Sequence, residues 1–176
     1  MWLSEHFSLA EFTATSDRSG IDNTPDAATL ERLKYTARHM EHVRLVLGVP
    51  IIILSGLRVI ELNVLKGGAM TAEALRQVGR ETRIDAVRDA CIARLRDGQF
   101  GAHVSQHVDG EAVNWHAPKF GTPFECCRAI EASDVRFDQL IYEVGWCHTS
   151  FIADNVPRRQ VLTIQRGQKP VPGLVE

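Results

Sequence analysis

Residues 105–115 read SQHVDGEAVNW, and this stretch decides how the second half of the chain is organised. The Asp-Gly pair at 109–110 is typical of a tight turn. A short apolar alternation follows over residues 111–115, which predicts a strand that leaves the turn. His107 therefore stands just before the strand, and Asn114 lies near the end of it.

Before this stretch the sequence predicts helices and one strand. The pattern Ser-Leu-Ala-Glu at 8–11 is a capping box, so a short helix begins there. Thr24 and Pro25 are predicted to be the N-cap and the first residue of a longer helix. Its apolar residues recur every three or four positions up to Gly48, which ends it. The β-branched run at 51–54 then predicts a buried strand.

After the stretch the pattern changes to short strands around one more helix. The helix and three strands are predicted, in that order, over residues 123–132, 137–143, 146–152 and 160–165. This order predicts an α+β fold, a small antiparallel sheet with helices packed on it, in a single domain spanning residues 1–176. Arg158, Arg159 and the C-terminal tail have the composition of solvated ends.

The composition is that of an ordinary soluble globular protein. Of the 176 residues, 44% are hydrophobic and 24% are charged, and a net charge of −2 offers no basic field for nucleic acid. No basic segment followed by a long apolar run opens the chain, and no apolar run is long enough to span a bilayer. We therefore expect no nucleic-acid or membrane partner, no signal peptide, and a cytoplasmic protein at synthesis. There the four cysteines are expected to stay reduced: Cys91, Cys126, Cys127 and Cys147.

His107 and His148 are the best pair of nitrogen ligands in the chain. His107 precedes the strand at 111–115, and His148 lies within the predicted strand at 146–152. If these two strands are neighbours in the sheet, the two imidazoles meet. Zinc is bound by Cys, His and carboxylate side chains on stiff elements, so a third ligand is expected beside them.

Several segments match a known family in the same order along the chain, and together they cover most of it. They are LSEHFSLAEF (3–12), GIDNTPDAATLERL (20–33), ILSGLR (53–58), ELN (61–63), GGA (67–69), SQHVDGEAVN (105–114), FDQLIYE (137–143) and WCHTS (146–150). With these segments the chain resembles the zinc D-alanyl-D-alanine carboxypeptidase family, in particular its branch of phage endolysin-like and virion-associated peptidases. The resemblance implies a hedgehog/D-Ala-D-Ala-peptidase-like fold and a zinc-dependent peptidase.

The resemblance also implies a ligand set for the metal. His107 and His148 would be zinc ligands, and the third ligand, an Asp in the family, would stand at position 114. This chain has Asn114 there. Arg58, in the SGLR segment, would stabilise negative charge that develops on the substrate.

Further roles follow from the same resemblance. Glu143 would be the acid–base residue that takes a proton from zinc-bound water. In many members this acid sits three residues before the last His, where this chain has Gly145. The residues that would bind substrate are Ser55, Arg58, Ser105 and Gln106.

Asn114 is the main departure from the family pattern. Its amide offers zinc a carbonyl oxygen but no charge. Loss of even an outer partner lowers metal affinity about 10–100-fold, so loss of the anionic ligand should cost at least that. His116 faces the same side of the strand as Asn114 and is one candidate substitute, while Cys147 and His103 are others.

A helical insertion at about residues 70–102 is the second departure. Family members pass from the GGA segment to Ser-x-His within a handful of residues, whereas residues 71–97 here have a helical pattern. The insertion is expected near the mouth of the cleft. A lid, a wall of the substrate site and a docking surface all stay open as its role.

Two functions fit these observations best, and a soluble enzyme that uses no metal stays open as a third. One is a zinc peptidase that acts on peptidoglycan stem peptides, either released to the cell wall by lysis or associated with a virion. The other is a catalytically inactive member of the same family, a structural or cell-wall-binding component of a phage virion with other phage structural proteins as partners. Asn114, Gly145 and the helical insertion favour the second, and the nearly complete motifs favour the first.

Overall fold

The residues described by a computed structural model are 1–15, 22–59, 62–63, 105–165 and 167–176. Within them the chain forms three helices and a six-stranded sheet, which confirms the predicted α+β class. In chain order the elements are α1 (Leu9–Thr13), α2 (Ala27–Leu47), β1 (Ile52–Ser55), β2 (Ala112–His116), α3 (Pro123–Glu131), β3 (Gln139–Glu143), β4 (Trp146–Ser150), β5 (Gln160–Ile164) and β6 (Val171–Pro172). The predicted insertion at 70–102 lies outside the described residues.

The caps of the first two helices follow from short polar side chains. The capping box of α1 is confirmed, because Ser8 and Glu11 each accept the backbone N–H of the other. Helix α2 begins later than predicted, since Asp26, not Thr24, is its N-cap and accepts the N–H of Thr29 at 2.7 Å. It ends as predicted at Gly48, whose φ of 65° is left-handed. No helix in the described part of the chain is long and apolar enough to cross a membrane.

The strands form one sheet in the order β1-β2-β4-β3-β5-β6. Neighbouring strands are antiparallel except for β3 and β5, which run parallel, so the sheet is mixed. The parallel pair arises because the chain leaves β4, passes β3 and enters β5 on the far side. The strand predicted at 51–54 is not buried, because β1 lies at the edge of the sheet and leaves Ile52 and Leu54 about half exposed.

The hydrophobic core lies on one face of the sheet. Alternate residues of three central strands point into it, namely Val113, Trp115, Leu140 and Cys147. They pack with apolar side chains from α2 and α3. Three of the predicted reduced cysteines, Cys126, Cys127 and Cys147, are buried and free, as expected, whereas Cys91 lies outside the described residues.

Gly56 directly follows β1 and packs against the backbone of the first helix. A Cβ at this position would lie 2.5 Å from the carbonyl oxygen of Phe12 and 2.9 Å from its Cα. The next residue, Leu57, donates its N–H to the same carbonyl oxygen at 2.7 Å. The contact is between backbones, so no side chain can move aside to make room.

We therefore expect Gly56→Ala to lower the free energy of unfolding by about 2 kcal/mol, the usual cost of forced overpacking. Gly145→Ala is the matched control, because no atom lies within 4 Å of a Cβ built there. It should change stability by less than about 0.5 kcal/mol. Urea unfolding of both variants measures the effect, and equal midpoints would contradict this account of Gly56.

Candidate functional site

The condition under which the two imidazoles were expected to meet is fulfilled, because the strands that follow His107 and contain His148 are neighbours in the sheet. Strand β2 pairs with β4, and Asn114 lies directly opposite His148, which in turn lies opposite Ile141 of β3. These three side chains stand on the face of the sheet that points away from the core. They form the floor of a cleft of about 840 Å³. The described residues that line it are Arg58, Ser105, Gln106, His107, Asn114, Gln139, Ile141, Glu143, Trp146, His148 and Arg158.

His107 enters the cleft from the turn before β2 and is held by backbone. Its Nδ1–H donates to the carbonyl oxygen of Gly56 at 2.6 Å, and a carbonyl can only accept, so the proton of the neutral ring sits on Nδ1. Burial lowers the pKa of both imidazoles, that of His107 well below its ordinary value and that of His148 to about 4. Their ring centres are 5.1 Å apart. Both rings are thus neutral at pH 7, and the Nε2 of His107 presents a lone pair to the cleft.

Asn114 lies between the two rings, and its neighbours decide which end of its amide faces them. The amide nitrogen donates to His107 Nε2 at 3.2 Å and to His148 Nδ1 at 2.9 Å. The amide oxygen accepts from Trp146 Nε1 at 3.2 Å and from Arg58 Nη2 at 3.1 Å. The reverse orientation would set the oxygen against the His107 lone pair and the NH₂ group against two groups that only donate. Asn114 therefore makes four hydrogen bonds within the cleft.

The residues at this point do not fit a zinc ion as they stand. Zinc needs lone pairs from its ligands, and the two imidazole nitrogens supply them. The third position instead turns amide hydrogens toward the same point. Within the described residues, no group of three His, Cys, Asp or Glu side chains is placed to hold a metal. Of the three ligands that the family resemblance implies, Asn114 is the one whose chemistry does not fit.

Arg58 and Glu143 stand on the rim of the same cleft. The guanidinium Nε of Arg58 donates to the Ser55 hydroxyl at 2.9 Å, so Ser55 orients Arg58 and is not itself among the described lining residues. Burial raises the pKa of the Glu143 carboxyl, and the Trp146 indole and the charge of Arg58 offset this in part. A carboxyl with a raised pKa beside a cation is suited to accept and return a proton.

The cleft also contains an ion pair that the sequence did not reveal. The carboxylate of Asp138 is buried and accepts from the backbone N–H, Nε and Nη2 of Arg158, and from Gln106 Nε2 at 3.0 Å. Arg158 is exposed, as expected of a solvated end, but it also supplies the cationic partner that a buried carboxylate requires. Arg159 is also held, since it donates to three backbone carbonyls and lies over the Phe137 ring.

Of the other residues that the sequence analysis assigned to the site, some line the cleft and others do not. Ser105 and Gln106 line the cleft, while His116 is not among the described lining residues. Cys147 points to the opposite face of β4 and donates to the carbonyl of Pro123 at 3.2 Å, so it cannot replace Asn114 without reversing the strand. His103 lies outside the described residues. Neither Cys147 nor His116 is thus brought to the histidine pair.

Comparison with known proteins gives one family. The family model described as Peptidase M15 matches residues 5–95, just over half of the chain. The matched part contains Ser55 and Arg58, and it ends before His107. A search of the curated proteins gives no match.

The ion pair at Asp138 makes stability depend on pH in a defined window. Burial alone would raise the pKa of this carboxyl, but the hydrogen bonds from Arg158 and Gln106 outweigh it and lower the pKa. The stabilisation is therefore complete above the ordinary carboxyl pKa of about 4 and is lost as the pH falls through the lower folded value. Asp138→Asn should cost about 2 kcal/mol at pH 7, and this difference should shrink below pH 4.

Urea unfolding at several pH values between 7 and 3 measures this difference. Asp134→Asn is the matched control, because Asp134 is exposed and its loss removes the same charge from the surface. A cost for Asp138→Asn that stays the same down to pH 3 would contradict the role given to the pair.

Proposed function

This chain belongs to the peptidase M15 family, and we propose that it is a peptidase of the D-alanyl-D-alanine carboxypeptidase type that acts on peptidoglycan stem peptides, attenuated at position 114. Family membership supports a zinc-peptidase type of function, since peptidases of this family are typically zinc-dependent. The finer assignment rests on the segments that resemble the carboxypeptidases. Delivery to the cell wall by lysis or with a phage virion is part of the same proposal.

The observation that carries the proposal is the convergence of four chemical groups in one cleft. Two neutral imidazoles, the Arg58 guanidinium and the Glu143 carboxyl with its raised pKa all line it. Arg58 is suited to bind a peptide carbonyl or carboxylate and to stabilise charge that develops there. Glu143 is suited to hold a proton during cleavage. An ordinary surface groove would not bury so many polar groups together.

Recognition of the substrate is proposed to use the opposite end of the cleft. Arg158 is fixed by Asp138, and within the described residues its Nη1 donates no hydrogen bond. Gln106 and Gln139 line the cleft beside it. A peptide with a carboxylate on a side chain, or with several amide groups, would find a cation and two amides already oriented there.

The test of the proposed activity uses a synthetic stem pentapeptide that ends in D-Ala-D-Ala, with cleavage followed by mass spectrometry at one fixed zinc concentration that does not saturate the natural protein. We expect slow cleavage by the natural protein and cleavage about 10–100-fold faster by Asn114→Asp, the factor that follows from restored metal binding. Glu143→Gln in the Asn114→Asp background should lower the rate about 10²–10⁴-fold. No cleavage by any of these proteins, all folded, would refute the peptidase.

The role of Arg158 is tested separately by binding. Arg158→Gln should weaken binding of the same peptide to the Asn114→Asp protein about 5–10-fold, the effect of one charge-assisted hydrogen bond. Its matched control is Arg38→Gln, which removes an exposed cation from α2 that does not line the cleft. Titration calorimetry measures both, and equal losses would show that only the net charge matters.

An inactive protein that binds the peptide is the second candidate, and one observation favours it. The Asn114 amide already satisfies both imidazoles, so the cleft is complete without a cation. The two candidate functions predict different results for the natural protein. Binding of the pentapeptide with no zinc-dependent cleavage would establish the second. The cleavage assay above serves for this comparison as well.

A further inference from the structure

The side-chain amide of Asn114 has one oxygen atom. Two sets of neighbours would need this oxygen to point in opposite directions. Trp146 Nε1–H and Arg58 Nη2–H donate to it from one side, at 3.2 and 3.1 Å. A cation between His107 and His148 would need the same oxygen to point to the other side, toward the rings. A single amide oxygen cannot serve both.

Turning the amide toward a cation has a definite cost. The NH₂ group would then face the indole N–H and the guanidinium N–H, and neither of these groups can accept a hydrogen bond. All four hydrogen bonds of the amide would be lost, and three donor groups would face one another in a largely buried site, since Asn114 is only 7% exposed. The orientation of Asn114 is therefore held from the side of Trp146 and Arg58, as well as from the side of the rings.

We propose that Trp146 and Arg58 are positioning residues that hold the Asn114 amide with its NH₂ group in the place of a cation, so that zinc must compete with them for one oxygen. The proposal rests on the proposed function only in that both concern the same cleft. The proposal attributes low zinc affinity to the hydrogen-bond partners of Asn114 as well as to its lack of charge. It also gives these partners an effect that depends on the residue at position 114.

A carboxylate at position 114 would reverse that effect. Asp has two oxygens, so one can face the rings while the other accepts from Trp146 and Arg58. The same two donors that oppose zinc in the natural protein would then orient the ligand and support zinc binding, as outer partners of metal ligands do. The indole N–H of Trp146 thus acts against the metal beside Asn and for the metal beside Asp.

The experiment measures zinc affinity by titration calorimetry with zinc chloride alone, in four full-length proteins: natural, Trp146→Phe, Asn114→Asp and the double variant. Trp146→Phe removes the N–H and keeps an aromatic ring. In the natural background we expect it to raise zinc affinity about 3–10-fold, the effect of one hydrogen bond. In the Asn114→Asp background we expect it to lower zinc affinity about 10-fold or more.

The change of sign distinguishes positioning from general damage, because damage would lower the affinity in both backgrounds. An equal or lower affinity of the Trp146→Phe protein in the natural background would overturn the proposal. Trp2→Phe is the matched control, since Trp2 is 68% exposed and does not line the cleft. It should leave zinc affinity unchanged, and thermal unfolding shows that each variant is folded.

A second measurement needs only the natural protein and tests the orientation itself. In the zinc-free protein, NMR should show couplings across hydrogen bonds from the Asn114 side-chain nitrogen to the ring nitrogens of His107 and His148. It should also show the His107 proton on Nδ1. Couplings that are absent, with slow exchange of the ring protons established, would overturn the orientation and with it the proposal.

Failure of this inference and failure of the proposed function give different results. Cleavage of the stem peptide without the change of sign refutes the positioning role and leaves the peptidase. The change of sign without any cleavage, even in the Asn114→Asp protein with zinc bound, refutes the peptidase and leaves the positioning role.

Discussion

The antiparallel pairing of β2 with β4 is the constraint on which the cleft depends. It sets Asn114 opposite His148 and leaves the flanking pair, Trp115 and Cys147, on the core face. A slip of one residue would exchange the two faces and send the polar side chains into the core. Register is therefore held by the hydrophobic effect on one face, and the other face is free to carry chemistry.

Position 114 shows how one side-chain group, an NH₂ in place of an oxygen, decides whether the cleft offers a cation a third ligand. The imidazoles, Arg58 and Trp146 keep the geometry in which an anion would bridge a cation and a pair of donors. With its NH₂ group toward the rings, Asn114 instead forms a closed set of hydrogen bonds. This set of hydrogen bonds leaves no unpaired polar group that would destabilise the fold, because within the described residues no buried polar side-chain atom lacks a partner.

Much of the fold could be predicted from the sequence because its signals are local. Ser8 with Glu11, Gly48 after an apolar helix, and the run before Glu143 each mark an element by capping, backbone freedom or alternation. The edge position of β1 and the parallel pairing of β3 with β5 could not be predicted, since both depend on how distant segments are ordered across the sheet.

The candidate site divides in the same way. His107 and His148 were identified from motifs, and the sheet register brings them together. Arg158 was missed because its role depends on Asp138, and nothing in its own neighbourhood of the sequence signals that contact. Trp146 stood within a recognised segment, but the partners of its indole N–H, Glu143 and the Asn114 amide, are known only from the structure.

The Gly56 carbonyl has a mechanical consequence for the cleft. Gly56 rests on the backbone of Phe12 at the end of α1, and its oxygen fixes the proton and the ring plane of His107. The first helix thus supports an imidazole that lies far from it in the sequence. The direction in which the free ring nitrogen of His107 points therefore depends on the position of α1.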